Sequence, residues 1–157
     1  MSGAEEVLRR ATADDIVTLA RLHHETVSVA YRDWFPPPAP SFDELVPQWA
    51  REVAAGHAVF VYGDGVGSVV ARADGSLGRL HVHPSRWGEG IGQVLHDAAV
   101  GELRSSGHRL ANLLVIEANV RARSLYERNG WVLDASVPAI EHLGVREVRY
   151  VLELASR

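Results

Sequence analysis

Three glycines alternate in Trp87-Gly88-Glu89-Gly90-Ile91-Gly92-Gln93, between the apolar segment Leu80-His81-Val82-His83-Pro84 and an amphipathic one. Such a junction can hold a phosphate. Glycine adopts positive φ and brings backbone close to a ligand with no Cβ in the way, and successive N–H groups in such a turn form an anion-binding concavity. A helix opening at Gly90 would add the partial positive charge of its N-terminus. Further on, Asn119, Ala122 and Tyr126-Glu127-Arg128-Asn129-Gly130-Trp131 put an amide, a phenol and a helix-stopping glycine into one short stretch.

Several elements must position these groups. Val7 to Arg10 reads as a first strand, and Ala13-Asp14-Asp15 caps a helix in which Ile16, Leu19, Ala20, His23, Val27 and Ala30 recur at helical spacing, ending near Tyr31. Trp34-Phe35-Pro36-Pro37-Pro38-Ala39-Pro40 is a stiff loop, since proline lacks the N–H and restricts the residue before it. Ser41 and Glu44 have capping-box spacing, but Pro47 follows, and a helix beginning at Pro47 and stopping at Gly56 is the expected compromise. His57 to Tyr62 and Val66 to Ala73 form a hairpin around Gly63-Asp64-Gly65, and Leu77 to His83 is the next strand. A helix from Gly90 to Leu103 leads to the strand Leu110 to Ile116, which a strand–helix–strand crossover should leave parallel to Leu77–His83. Asn119 caps the next helix, Gly130 ends it, and Trp131 to Val137 with Val145 to Leu154 close the chain as a strand pair.

Composition narrows the chemistry. A chain of 157 residues, 46% hydrophobic and 23% charged, is expected to be one globular domain spanning 1–157. No apolar run reaches the roughly 20 residues a bilayer needs, and the start lacks the layout of a secretory signal, so the expected location is cytoplasmic. The absence of cysteine excludes thiol nucleophiles and Cys-ligated zinc. All 16 basic residues are arginine, so neither a lysine nucleophile nor a P-loop is available. A net charge of −4 gives no electrostatic reason to expect nucleic acid or an anionic membrane as partner. Gly63-Asp64-Gly65-Val66-Gly67 leads into a strand, which does not suit a dinucleotide fingerprint.

Taken together, Val82-His83-Pro84, the glycine turn at 88–92 and the Asn119, Ala122 and Tyr126-to-Trp131 stretch resemble the GNAT N-acetyltransferase superfamily, in motifs over residues 80–131 and in element order over the chain. In that family the turn reads Gln/Arg-x-x-Gly-x-Gly/Ala; here Trp87 stands in the Gln/Arg place, and Arg86 could take over the charge pairing. The resemblance implies an α/β (α+β) fold: a mixed, mostly antiparallel central sheet of about six or seven strands with a splayed parallel pair, flanked by about four helices. It implies acetyl-CoA as co-substrate, no metal, and binding through Leu80, Val82, Arg86, Trp87, Gly88, Glu89, Gly90, Ile91, Gly92, Gln93, Asn119 and Tyr126. The exposed end of the Leu80–Val82 strand would pair with the pantetheine amides. Tyr126 would give a hydrogen bond or proton to the departing sulfur, for which a phenol with a pKa near 10 is well matched.

The base is not fixed by the resemblance. Many members carry a glutamate on the strand before Val-x-Pro, and here that place is near Arg79. His81, whose ordinary pKa near 6.5 suits proton removal, Glu117 and a water chain are the alternatives. Acceptor recognition is expected from the first two helices and the proline loop, where His23, His24, Glu25, Tyr31, Asp33, Trp34 and Phe35 combine aromatic surface and negative charge suited to a cationic amine. The expected activity is transfer of acetyl from acetyl-CoA to a primary amine of a small molecule or peptide N-terminus. A non-catalytic CoA-binding sensor and a protein lysine acetyltransferase are the alternatives, and the Val145-to-Leu154 run has the composition of an edge through which a homodimer could form.

Overall fold

The computed structural model describes residues 6–30, 32, 39–142 and 144–154. Most of the proline loop, with Tyr31, Asp33, Trp34 and Phe35, lies outside them. Strand β1 is Leu8–Arg10, and Thr12 then closes a capping box with Asp15 over a short 3-10 turn that feeds helix α1, Ile16–Ala30.

Helix α2 is Phe42–Ala54, capped by Ser41 and Glu44, with Pro47 inside it. The expected start at Pro47 is therefore corrected. A proline at this depth frees the carbonyl four residues earlier, here that of Asp43, and both residues are exposed, so water takes the bond. The capping box satisfies the first turn, while Leu45 and Trp49, 1% and 0% exposed, tie the helix to the core.

Strands β2 (Ala58–Tyr62), β3 (Gly67–Ala71) and β4 (Leu77–Val82) continue from β1 as an antiparallel sheet in the order β1-β2-β3-β4. Both faces of this sheet are covered. Val59, Val61 and Val70 pack under α1 and α2, whereas Ala58, Val69 and Ala71 pack against helix α3, Ile91–Ser105. Alternation along the strands thus serves two cores. A Cβ on Gly67 would lie 2.8 Å from Leu95 Cδ1, so the bare backbone of β3 is what lets α3 approach.

Strand β5 (Leu110–Ile116) pairs antiparallel with β8 (Val145–Glu153) along its whole length. Helix α4, Val120–Arg128, follows β5, capped by the Asn119 side chain on the Ala122 N–H at 3.1 Å. The expected strand over 131–137 shrinks to β6, Val132–Leu133, because Asp134 accepts from both the N–H and the hydroxyl of Ser136 and turns the chain away. A further short strand, β7 (Ile140–His142), then joins the same edge of β8.

Instead of one continuous sheet of six or seven strands there are two four-stranded sheets. They touch through one parallel bridge, Ser76 to Asn112. Beyond it β4 and β5 run in the same direction but part, which is the splay expected of the pair. At the mouth of this V the register of β3 against β4 slips between Ser68 and Val70, and Arg79 takes a φ of 51°. The Ser68 hydroxyl donates to the Arg79 carbonyl at 2.9 Å and supports this left-handed residue, whose conformation costs about 1–2 kcal/mol.

Candidate active site

Two cavities open along the splay. The first, about 650 Å³, lies between the end of β4 and the N-termini of α3 and α4. Its floor is the glycine turn: Gly88 and Gly90 both have φ of 83°, and a Cβ built on either would meet nothing within 4 Å. Gly90 caps α3 without any side-chain hydrogen bond. The first-turn N–H groups of Ile91, Gly92 and Gln93 therefore have no intrahelical acceptor and face the cavity as a donor set for an anion. Leu80, Val82, Ala122 and Leu125 supply apolar walls, and Asn119 lies at the junction with the second cavity.

Trp87 is fixed by its indole N–H, which donates to the Val82 carbonyl at 2.8 Å, and the Arg121 guanidinium sits 4.1 Å from its ring centroid. Arg121 and Arg128 of α4 line the cavity, and neither has an ion-pair partner among the described residues. Arg86 differs: it also lines the cavity, but it is bound to Glu6 at 2.9 Å and Glu89 at 2.8 Å, so its charge is spent locally. The Glu89 side chain faces Arg86 and is not in the lining. The Gln93 side chain exchanges two hydrogen bonds with Asn129, leaving only its backbone for a ligand.

The second cavity, about 590 Å³, lies in the V between β4 and β5. Leu80, His81, Asn119 and Ala122 line both spaces, so the two are continuous. Tyr126 lines this second cavity; it is 6% exposed, with its ring 5.8 Å from that of Trp131 and 6.4 Å from that of Tyr150. The Tyr150 hydroxyl is committed elsewhere, accepting from Arg123 and donating to Glu127.

His81 is 8% exposed, and burial, with His23 and Arg79 nearby, pushes it well below its ordinary value. It is thus neutral and available, but a weaker base than a free imidazole. Burial first, then Arg79 and His24, lowers His23 to about 3. Arg79 itself lies over Trp49 and against Glu52 at 3.4 Å, and burial lowers its pKa. Glu117 pairs with Arg146 at 3.2 Å and lines neither cavity. Of the acceptor residues expected on α1, His23 lines the second cavity; His24 contacts the Pro40 carbonyl and Glu25 pairs with His83.

Arg121, Arg128, Thr26 and Glu147 are lining residues that the sequence reading missed. Arg121 and Arg128 were within reach, since their spacing of seven puts them on one face of α4. Thr26 and Glu147 had no such signal. The donor set suits a polyanion with an apolar tail: free backbone N–H groups, two uncompensated guanidiniums and a narrow aliphatic channel.

The match to the family model described as "Acetyltransferase (GNAT) family" covers residues 16–131, which includes the lining of the first cavity and all but Glu147 of the second. A mycothiol acetyltransferase of Beutenbergia cavernae is 37% identical over 79 residues, covering 45% of this chain. The chain spans only 27% of that relative's length. Among solved structures, yncA of Salmonella typhimurium, determined with its cofactor acetyl-CoA, superposes with a TM-score of 0.71 at 16% identity, covering 97% of this chain and 95% of its own. The phosphinothricin acetyltransferase of Sinorhizobium meliloti, in complex with acetyl-CoA, gives 0.73 at 19% identity, covering 94% and 88%. Those two show a shared fold, and the family model shows membership: the chain belongs to the acetyltransferase (GNAT) family.

Proposed function

We propose that this chain transfers an acetyl group from acetyl-CoA, bound in the first cavity, to a primary amine of a small molecule or peptide N-terminus presented from the second. The observation that carries this reading is the cradle at Gly88–Gln93 opposite two unpaired arginines. It joins the second cavity where Tyr126 and His81 sit. When bound, acetyl-CoA supplies a thioester carbonyl for direct attack. The backbone of the turn orients the phosphates, the free edge of β4 at Leu80–Val82 aligns an extended chain by strand-like pairing, and the cleft brings the two reactants to contact distance. The Tyr126 hydroxyl gives a hydrogen bond to the sulfur as it gains charge, and His81 takes the proton that the nitrogen sheds.

A CoA-binding sensor is the second reading, favoured by one observation: no carboxylate touches His81, and Arg79 stands beside it. Calorimetric titration of acetyl-CoA into the wild type and into Gly90→Pro, which removes a backbone N–H and, by fixing φ near about −65°, breaks the positive-φ turn of the cradle, tests donor binding. Circular dichroism confirms that the variant is folded. Micromolar wild-type affinity, near −8 kcal/mol, lost in the folded variant, supports the site. Absence of wild-type binding overturns it, and binding without acetyl transfer to any amine in a screen leaves the sensor.

A further inference from the structure

Two imidazoles, His81 buried and His23 half-buried, meet where the cavities join. His23 of α1 and His81 of β4 have ring centroids 4.2 Å apart with planes inclined by 35°. The Trp49 indole donates to His23 Nδ1 at 3.2 Å, which leaves that ring's proton on Nε2. His81 Nε2 is buried with no partner among the described residues. A histidine that acts as a strong base is ordinarily held by an acceptor on its other nitrogen, and no such contact is made here.

The surroundings explain why. Glu52 of α2, the nearby carboxylate, is engaged by Arg72, just after β3, at 3.1 Å and Arg79 of β4 at 3.4 Å. Arg79 and His23 bear on His81 directly, and His24 bears on His23. Asp74, in the turn before β4, and Glu147 of β8 also line the cavity, Asp74 already accepting two hydrogen bonds from Ser76. This pair can take up a proton as it is shed. It cannot strip one in advance from an alkylammonium, whose pKa is about 10.4.

We propose, on the reading that this site transfers acetyl groups, that its acceptor nitrogen is one with an appreciable free-base fraction near neutral pH, the α-amine of a peptide or amino-acid amide, and not an alkylammonium such as a lysine side chain. The nitrogen lone pair forms the N–C bond, and the C–S bond breaks with its electron pair on sulfur. The proton shed by nitrogen to His81 balances the one the thiolate takes up, so an amide and a thiol result.

Two probes separate the classes: alanylglycine amide, with only an α-amine, and Nα-acetyl-lysine amide, with only a side-chain amine. Their reference pKa values, about 7.7–8.0 and 10.4, differ enough that the free-base fractions at pH 7 differ by more than about 100-fold. The expected result is a kcat/KM ratio of that order at pH 7, closing about tenfold per pH unit between pH 8 and 10. A ratio near one, or one that ignores pH, overturns the inference while leaving acetyl-CoA binding intact. Loss of acetyl-CoA binding overturns the parent reading instead. An NMR titration of the imidazole protons supplies an independent arm: His81 is expected to titrate well below the ordinary imidazole value, and a midpoint near 6.5 overturns the inference. In His23→Asn, where the stacked ring is gone, a second acidic limb, below that of the amine itself, is expected to enter the pH profile of the α-amine probe. A purely structural role for His23 would not move that limb.

Discussion

The two cavities are built from different materials. The first is made of backbone: three glycines, free N–H groups and the ends of two helices, with Arg121 and Arg128 adding charge that nothing else in the described protein uses. The second is made of side chains from α1, β4, β5, α4 and β8, and its nearest cations, Arg72 and Arg79, share the one carboxylate of Glu52. A polyanion offers the same phosphates every time, so contiguous residues can hold it by conformation alone. An amine must be told apart from other amines, which takes side chains drawn from distant parts of the chain.

The sharpest test of that division is Tyr126→Phe. It is expected to lower kcat by about 100-fold, the lower end of what a positioned proton donor contributes, while the Kd for acetyl-CoA stays within about twofold by calorimetry. A matching loss of donor affinity would erase the boundary between the cavities. Arg121→Ala and Arg128→Ala should each weaken acetyl-CoA binding about tenfold, the worth of a charged hydrogen bond of roughly 1.5 kcal/mol, and leave the acceptor KM unchanged. Arg86→Ala is the control in the same assay. With its charge spent on Glu6 and Glu89 it should change Kd by less than about threefold, and an effect as large as that of Arg121 would show that the Glu6 and Glu89 pairs give way to the ligand.

The stacked histidines give the junction of the two cavities a signature of its own. The folded protein keeps His23 neutral to about pH 3, whereas an unfolded chain takes up that proton near pH 6.5. Between those values the unfolded state binds more protons, so stability falls as pH is lowered, by about 1.4 kcal/mol per pH unit per such group. His81 acts in the same direction. Urea denaturation at pH 7 and pH 5 should show this slope in the wild type and a shallower one in His23→Gln; equal slopes would remove His23 as its source.

What could be read from residues alone follows the same division. The glycine turn, the Asn119 cap and Tyr126 are local patterns, and the structure places each at the cleft. Pro47 misled because its cost is one freed carbonyl on a solvated helix face, and solvent exposure is not written in local spacing. The strand expected over 131–137 failed for the opposite reason: Asp134 and Ser136 form a side-chain turn that outweighs the apolar run before them. Arg86 looked suited to the ligand until the fold brought Glu6, eighty positions away in sequence, against its guanidinium. The weak basicity of His81 was equally hidden, since it depends on its burial against α1 and on the Arg79 guanidinium that the bulge brings beside it.

The bridge between Ser76 and Asn112 has a mechanical consequence. With the two sheets joined at that point by backbone and elsewhere by side-chain packing, the angle between β4 and β5 is set by core volume. Residues such as Leu113 and Val115, buried beside α3 and α4, act as the spacers of a hinge whose pin is Asn112. Both also line the second cavity, so trimming one would change the gape of the cleft and the wall of that cavity together.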